Sequence, residues 1–271
     1  MNIAHPDIRR AVENALAEDV GSGDITTNAC VPADLLAEAR FMAKQDLTLA
    51  GVELLRLLFD DTQIFKRSGD IVSAGEQIAV VRGPARTLLT RERVSLNFLQ
   101  RLSGIATLAA KYVRAVEGTG VRILDTRKTT PGLRVLEKAA AAAGGVVNHR
   151  MGLYDAVLIK NNHIRLAGGV RAAIERARVA KKPIEVEVRT RVELEDALEC
   201  GASRVLLDNL TPEEAANEIQ FIRHRAETEI SGNVTLENIR AYAEARADFI
   251  SSGSVTHSAV AVDINCGIYA L

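Results

Sequence analysis

Six short apolar runs in the second half of the chain end in residues able to do chemistry. VRIL (121–124) runs into Asp125-Thr126-Arg127-Lys128, and AVLI (156–159) into Lys160. IEVEV carries Glu187, VLLDN ends in Asp208-Asn209, EISGNV carries Ser231-Gly232-Asn233, and FISSGSV carries Ser252-Gly253-Ser254. A lysine closing an apolar run, or a glutamate among valines, is costly to bury without a partner. These positions therefore read as a site rather than as ordinary strand ends. Arginine supplies a planar fork for carboxylate or phosphate, and lysine a point charge. A Ser-Gly pair between a strand and a helix lets backbone N–H groups approach an anion at the positive helix end. Glu187 and Asp208, set among cations, can hold hydroxyls or a metal-bound sugar phosphate, or stabilise a developing positive charge. Between Arg122 and Arg165 there are eight Lys/Arg and three Asp/Glu, a local +5 in a chain of net charge −1. The chemistry this suits is capture of a small, highly anionic substrate.

The elements that must position these residues follow from periodicity. Taking Ile123, Val157, Val186, Leu206, Ile230 and Ile250 as run centres, the intervals are 34, 29, 20, 24 and 20 residues, each filled by a helix-like segment. Buried strands alternating with crossover helices imply a parallel sheet, either a β/α barrel or a doubly wound sheet. No GxGxxG follows the first strand, which counts against a dinucleotide fold. In a barrel the C-terminal strand ends line the mouth of the active site, and phosphate often sits at the last two βα loops. The first half differs. Ile8, Val12 and Leu16 are four apart, a helical stripe, and GSGDITT (21–27) is a glycine-rich break. From Glu38 to about Val81 the pattern is strand-like and glycine-punctuated, as in a β-sandwich. It lacks a lysine between Ile71 and Val81, so it is not a biotinyl or lipoyl carrier. Residues 87–117 read as helix interrupted at Ser103-Gly104 and mark the domain boundary.

Composition excludes other classes. With 271 residues, 47% hydrophobic and 25% charged, the chain is an ordinary globular protein. The near-zero net charge and 4% aromatic content, with no Trp, argue against a nucleic-acid binder. The longest apolar or glycine run, Ala139 to Val147, is nine residues and too short to cross a bilayer. The first twenty residues lack the apolar stretch of a signal peptide. Three scattered cysteines, Cys30, Cys200 and Cys266, form no disulfide framework or zinc ribbon and suit a reducing cytoplasm. The five histidines have no metal-ligand spacing.

LDTRKTTPGLR (124–134) and NHRMGLYDAVLIKNNH (148–163) resemble the signature stretches of the quinolinate phosphoribosyltransferases, the carboxylating nicotinate-nucleotide pyrophosphorylases of the type II phosphoribosyltransferase group. GSGDITT, ERVSLNFLQRLSGIAT (92–107), EVEV (185–188), LLDN (206–209), SGNV (231–234) and SSGSVTHS (251–258) match in family order over nearly the whole chain. The resemblance implies an α/β fold: an N-terminal α/β sandwich over 1–105, used in dimerisation, and an open, TIM-like β/α barrel over 106–271. The last few residues would return to the first domain. It implies transfer of phosphoribosyl from phosphoribosyl pyrophosphate (PRPP) to quinolinate with loss of CO2, a step of NAD biosynthesis. Mg2+ would come with PRPP, with no organic cofactor. Arg127, His149 and Arg150 match quinolinate-binding positions, with Thr126 beside them. Arg93 matches an arginine donated by the neighbouring subunit of a homodimer, itself possible as a unit of a larger oligomer. Lys128 and Lys160 match lysines near the substrates and pyrophosphate, and Glu187 and Asp208 acids near ribose and metal. Ser231-Gly232-Asn233 and Ser252-Gly253-Ser254 match the 5′-phosphate loops, with His257 beside the second.

Two departures stand out. LEK is followed by Ala139 to Ala143, and Asn161 stands where the family usually has Asp. His163 reads as structural. The nearest competing readings are a molybdenum-utilisation relative of the same family and a Schiff-base aldolase barrel using Lys160.

Overall fold

The computed structural model describes residues 1–271. In chain order it runs α1 (Pro6–Val20), α2 (Ile25–Cys30), β1 (Leu36–Ala43), β2 (Leu47–Thr48), α3 (Leu55–Leu58), β3 (Asp61–Ile64), β4 (Ile71–Val72), β5 (Gln77–Pro84) and the long α4 (Ala85–Ala115). Then come β6 (Arg122–Leu124), α5 (Arg134–Ala143), β7 (Val157–Ile159), α6 (Asn161–Ala167), α7 (Val170–Ala177), β8 (Ile184–Val188), α8 (Arg191–Glu199), β9 (Arg204–Asp208) and α9 (Pro212–Ile222). β10 (Glu227–Ser231), α10 (Ile239–Glu244), β11 (Phe249–Ser251), α11 (Ser254–His257) and β12 (Ile264–Ala270) complete the fold. Two compact units form, one from Met1–Ala110, Thr129–Gly145 and Thr256–Leu271, the other from Lys111–Lys128 and Val146–Val255. The chain thus passes between units four times, where sequence patterning draws one cut at 105/106. Periodicity marks each element but not the neighbour on which it packs. No helix is long and apolar enough to cross a membrane.

The first unit is α/β. α1 starts where Pro6 fixes the backbone and the His5 ring accepts from the Asp7 N–H, and it buries Ile8 and Val12. β12, β1, β5 and β3 form, in that order, an antiparallel four-stranded sheet, with Phe41 of β1 fully buried. β2 and β4 make a separate short ladder. The glycine-punctuated strands therefore divide between one four-stranded sheet and one two-stranded ladder. α4 lies against the β2 region, and its Ser103 and Thr107 hydroxyls accept from the Ala50 and Thr48 N–H groups. α4 is also continuous through Ser103-Gly104, where the sequence suggests a break. Gly104 is there for space: a Cβ on it would fall 2.1 Å from the Val260 carbonyl oxygen. The close approach of another backbone explains the glycine, at the modest cost in helix propensity that glycine carries.

The second unit is an open sheet of six parallel strands in the order β6-β11-β10-β9-β8-β7. This is a cyclic order cut once, between the first and second strands of the unit. It never reverses, so there is no switch point and the doubly wound alternative falls. Register then sorts the side chains. Leu158, Glu185 and Arg204 are paired in line, as are Glu187, Leu206 and Glu229. In parallel strands, in-line residues share a face. Charges therefore gather on one face. The intervening Val186, Val205, Leu207, Ile230 and Ile250, all at most 1% exposed, fill the other, under the crossover helices. At the strand starts, the Arg122 and Arg204 guanidinium groups stand 4.2 and 4.1 Å from the Phe249 ring centre. Arg204 also bonds Glu227 at 2.8 Å, which closes the N-terminal end.

Candidate active site

The opposite, C-terminal end of the second unit carries the charged strand ends. Lys160 follows β7 directly and is the N-cap of α6, whose His163 ring accepts the Lys160 N–H at 2.9 Å. His163 is thus a capping residue, in line with the structural reading. The Lys160 ammonium stands 3.7 Å from Glu187 Oε2, and Glu187 Oε1 accepts the Asn161 N–H at 3.3 Å. The Asn161 side chain, the family departure, accepts from Arg189 at 2.7 Å. Asp208 ends β9 beside them. Burial first, and then the charge of Glu187, push its carboxyl above the usual range. An Asn209 hydrogen bond and the cations Lys160 and Lys128 oppose that rise. Two acids at neighbouring strand ends, with lysines around them, form a donor set that fits Mg2+ shared with a substrate's phosphates.

The two Ser-Gly turns differ in construction. In the first, Asn209 and Asn233 both adopt left-handed backbone, at φ 58° and 53°, and Asn233 donates to Asn209 Oδ1 at 3.1 Å. Gly232, at φ 95°, lies so near Asn209 that a Cβ would meet its Oδ1 at 2.4 Å. The Asn238 side chain donates to the Asn233 carbonyl at 2.9 Å and fixes the turn. In the second, the buried Ser252 hydroxyl donates to the Val234 carbonyl at 3.0 Å and accepts the Ser254 N–H at 3.3 Å. Ser252 therefore ties the two turns together, and its hydroxyl is already engaged within the protein.

The arginines come from the segment joining β6 to β7. Asp125, fully buried at the end of β6, accepts from the Asn148 side chain at 2.6 Å and the His149 N–H at 2.8 Å. This ties residues 148–150 to the sheet. Asp155 closes the following turn by accepting the Met151 and Gly152 N–H groups. Burial and then the nearby Arg127 charge hold the Arg150 guanidinium below its ordinary pKa. A second guanidinium charge near the first suits the place to a dianion.

His149 sits against two buried acids. Its Nε2 lies 3.2 Å from Glu185 and 3.5 Å from Glu229, inside the sheet's charged face, and its Nδ1 accepts the Arg150 N–H at 2.7 Å. Both ring nitrogens are thus engaged within the protein. Burial works against charging this ring, but hydrogen bonds and charge from Glu185 and Glu229 outweigh it and push its pKa up to about 9. The bare Nδ1 and a raised proton affinity compete for one position. The backbone contact sets the Nε2–H form, and the extra proton affinity comes from the flanking carboxylates.

The second unit thus brings together Lys128, Lys160, Glu187, Asp208 and the Asn209–Asn233 turn, with Arg127 near Arg150. Thr126 accepts the Lys128 N–H at 3.0 Å, shaping the turn between them. Arg93 and His257 belong to the first unit. Arg93 is exposed on α4 and pairs with no acid, and His257 is exposed with its ring against the Ser258 hydroxyl at 2.8 Å. Sequence reasoning missed Glu185 and Glu229. The signal was present in IEVEV and ETEIS, where alternation puts them on the same face as Glu187 and Ser231.

This is the construction of a barrel enzyme that handles phosphorylated and carboxylated substrates, and the chain belongs to the quinolinate phosphoribosyltransferase family. Residues 24–103 match that family's N-terminal domain and residues 105–266 its C-terminal domain. A probable carboxylating nicotinate-nucleotide pyrophosphorylase of Bacillus subtilis is 39% identical over 97% of this chain and 94% of its own. The chloroplastic nicotinate-nucleotide pyrophosphorylase of rice, Oryza sativa, is 40% identical over 98% of this chain and 79% of its own. The NadC crystal structure from Streptococcus pyogenes superposes with a TM-score of 0.92, at 39% identity over 97% of each chain.

Proposed function

We infer that this chain is a quinolinate phosphoribosyltransferase: it transfers the phosphoribosyl group of PRPP to the ring nitrogen of quinolinate and releases CO2, giving nicotinate mononucleotide and pyrophosphate. The observation that carries the reading is the cluster of Lys160, Glu187 and Asp208 at neighbouring strand ends, with the charges of Arg127 and Arg150 near one another in the segment joining β6 to β7. The arginine pair takes the two carboxylates. Lys128 and Lys160 take the charge of the departing pyrophosphate, and the Asn209–Asn233 turn takes the 5′-phosphate through its backbone. As the C1–pyrophosphate bond breaks, Glu187 and Asp208 stabilise the ribosyl cation and the pyridine nitrogen forms the new C–N bond. The N-ribosylated ring then holds the electron pair left when CO2 departs, until a proton reaches that carbon. No protein nucleophile is required. Mg2+, held by Glu187, Asp208 and the substrate phosphates, would neutralise pyrophosphate charge.

We further propose that the enzyme is a homodimer with Arg93 reaching the partner's site, supported by the exposure and lack of partners of that side chain. We propose the cytoplasm as its compartment, on the three unpaired cysteines. The Schiff-base alternative has little support, since Lys160 is 48% exposed and ion-paired with Glu187, not set in the apolar pocket that such chemistry uses. The test is a product assay with quinolinate, PRPP and Mg2+. CO2 and the mononucleotide should appear in equal amounts; absence of both on folded protein rules the reading out.

A further inference from the structure

Three residues on the inner face of the second unit have no task in the reaction as drawn: His149, Glu185 and Glu229. They are 10%, 9% and 1% exposed by side chain, and their facing ligand-type atoms lie within 4.8 Å of one another. Glu185 Oε1 and Glu229 Oε2 are buried with no hydrogen-bond partner. Arg204 Nη1, 3.5 Å from Glu229 Oε2, gives charge balance without a hydrogen bond. Two carboxylates are expensive to keep in such a place, so an arrangement that retains them must use them.

What they hold is the segment that carries Arg150. The His149 N–H is on Asp125, its Nε2 faces Glu185 and Glu229, and its Nδ1 takes the Arg150 N–H. The Arg150 guanidinium in turn donates to the Ala156 carbonyl at 3.2 Å. The ring is therefore a spacer with one nitrogen on β8 and β10 and the other on the backbone of the arginine. Turning or shifting it moves the Arg150 amide directly.

We propose that Glu185 and Glu229 are positioning residues that act through the His149 ring to fix Arg150 for the carboxylates of the substrate. The proposal rests on the reaction read above. Neither acid touches the reacting atoms, and neither belongs to the Lys160, Glu187 and Asp208 group that handles PRPP. Loss of the clamp should therefore damage one substrate and spare the other. A displacement of about 1 Å at a binding group can cost on the order of 100-fold.

The experiment compares Glu229→Ala, Glu229→Gln and Glu185→Gln with the parent enzyme, measuring KM for each substrate and the 15N shifts of the His149 ring, assigned with His149→Asn. Glu229→Ala should raise the quinolinate KM by roughly 10- to 100-fold, leave the PRPP KM unchanged, and change the 15N signals of the ring. Glu229→Gln, whose amide oxygen can still accept Nε2–H, should restore most of the loss. A PRPP KM that rises in parallel, an unchanged quinolinate KM, or an unaltered ring signal in Glu229→Ala would overturn the clamp. So would a stoichiometric metal in the purified parent that is lost in Glu185→Gln, because the ring would then be a ligand. If the parent turns over no quinolinate, the reaction reading fails, while the ring shifts still decide the clamp.

Discussion

Gly232 and Asn209 come so close that only a hydrogen fits between them: a Cβ on Gly232 would lie 2.9 Å from the Asn209 amide nitrogen and 2.4 Å from its Oδ1. The glycine also sits at φ 95°, where a side chain is strained whatever the space. Gly232→Ala should cost about 1–3 kcal/mol in denaturant unfolding. The proposed phosphate turn should also open, so that the PRPP KM rises more than the quinolinate KM. Equal rises would show that the turn is scaffold rather than site.

The Arg127–Arg150 pair makes the opposite trade. The Arg127 charge opposes Arg150 while the Ala156 carbonyl and the acids Glu185 and Asp155 favour it, so Arg150→Ala should change the unfolding midpoint little. Each hydrogen bond to a charged group is worth about 1.5–3 kcal/mol, so its quinolinate KM should rise by roughly 10- to 150-fold. Arg150→Lys, which keeps charge but loses the fork, should recover only part. Steady-state kinetics with calorimetric melting on the same samples checks both halves.

Arg93 and Lys160 allow a mixing experiment. If Arg93 completes the partner's site, inactive Arg93→Ala and Lys160→Ala chains, exchanged into mixed dimers, should regain about a quarter of parental activity by the arithmetic of random pairing with one intact site per mixed dimer. Sedimentation confirms the exchange; verified mixed dimers without activity would remove the proposed sharing.

His149 predicts how stability depends on pH. Its ordinary value of 6.5 is raised to about 9 against burial, by Glu185 on β8 and Glu229 on β10, with Arg204 on β9 and the buried Asp125 as the other charged neighbours. The folded value exceeds the unfolded one, so the stabilisation that comes with charging the ring is complete below pH 6.5 and is lost as pH rises through about 9, where the neutral Nε2–H ring that accepts the Arg150 N–H takes over. Urea midpoints of the parent should fall across that window, and those of His149→Asn should fall less. Parallel curves would place the proton elsewhere.

Much of the second unit was legible in the sequence because its strands are short β-branched runs at regular spacing, and β6 to β11 all fall on them. What linear patterning misses is depth. It marks Glu187 as unusual but treats Glu185 and Glu229 as strand filler, since which face is which depends on the register between β8, β9 and β10. Nor does it show that the His149 ring lies between the two acids and the Arg150 N–H, a placement set by the fold. Ser103-Gly104 fails for a related reason. Its apparent break signals a contact with Val260, more than 150 residues away in sequence, which local propensity cannot see.

The division of β8 to β10 into a charged face and an aliphatic face has a consequence for folding. A slip of one residue in pairing reverses every side chain of a strand. For β8 it would drive Glu185 and Glu187 under the helices and turn Val186 towards His149 and Arg204. A sheet with uniformly aliphatic strands tolerates such slips as near-equivalents. Here the misaligned sheet would strand two acids in oil and orphan their cations. The same groups that make the mature barrel costly to fill thus act as a proofreading device for its assembly.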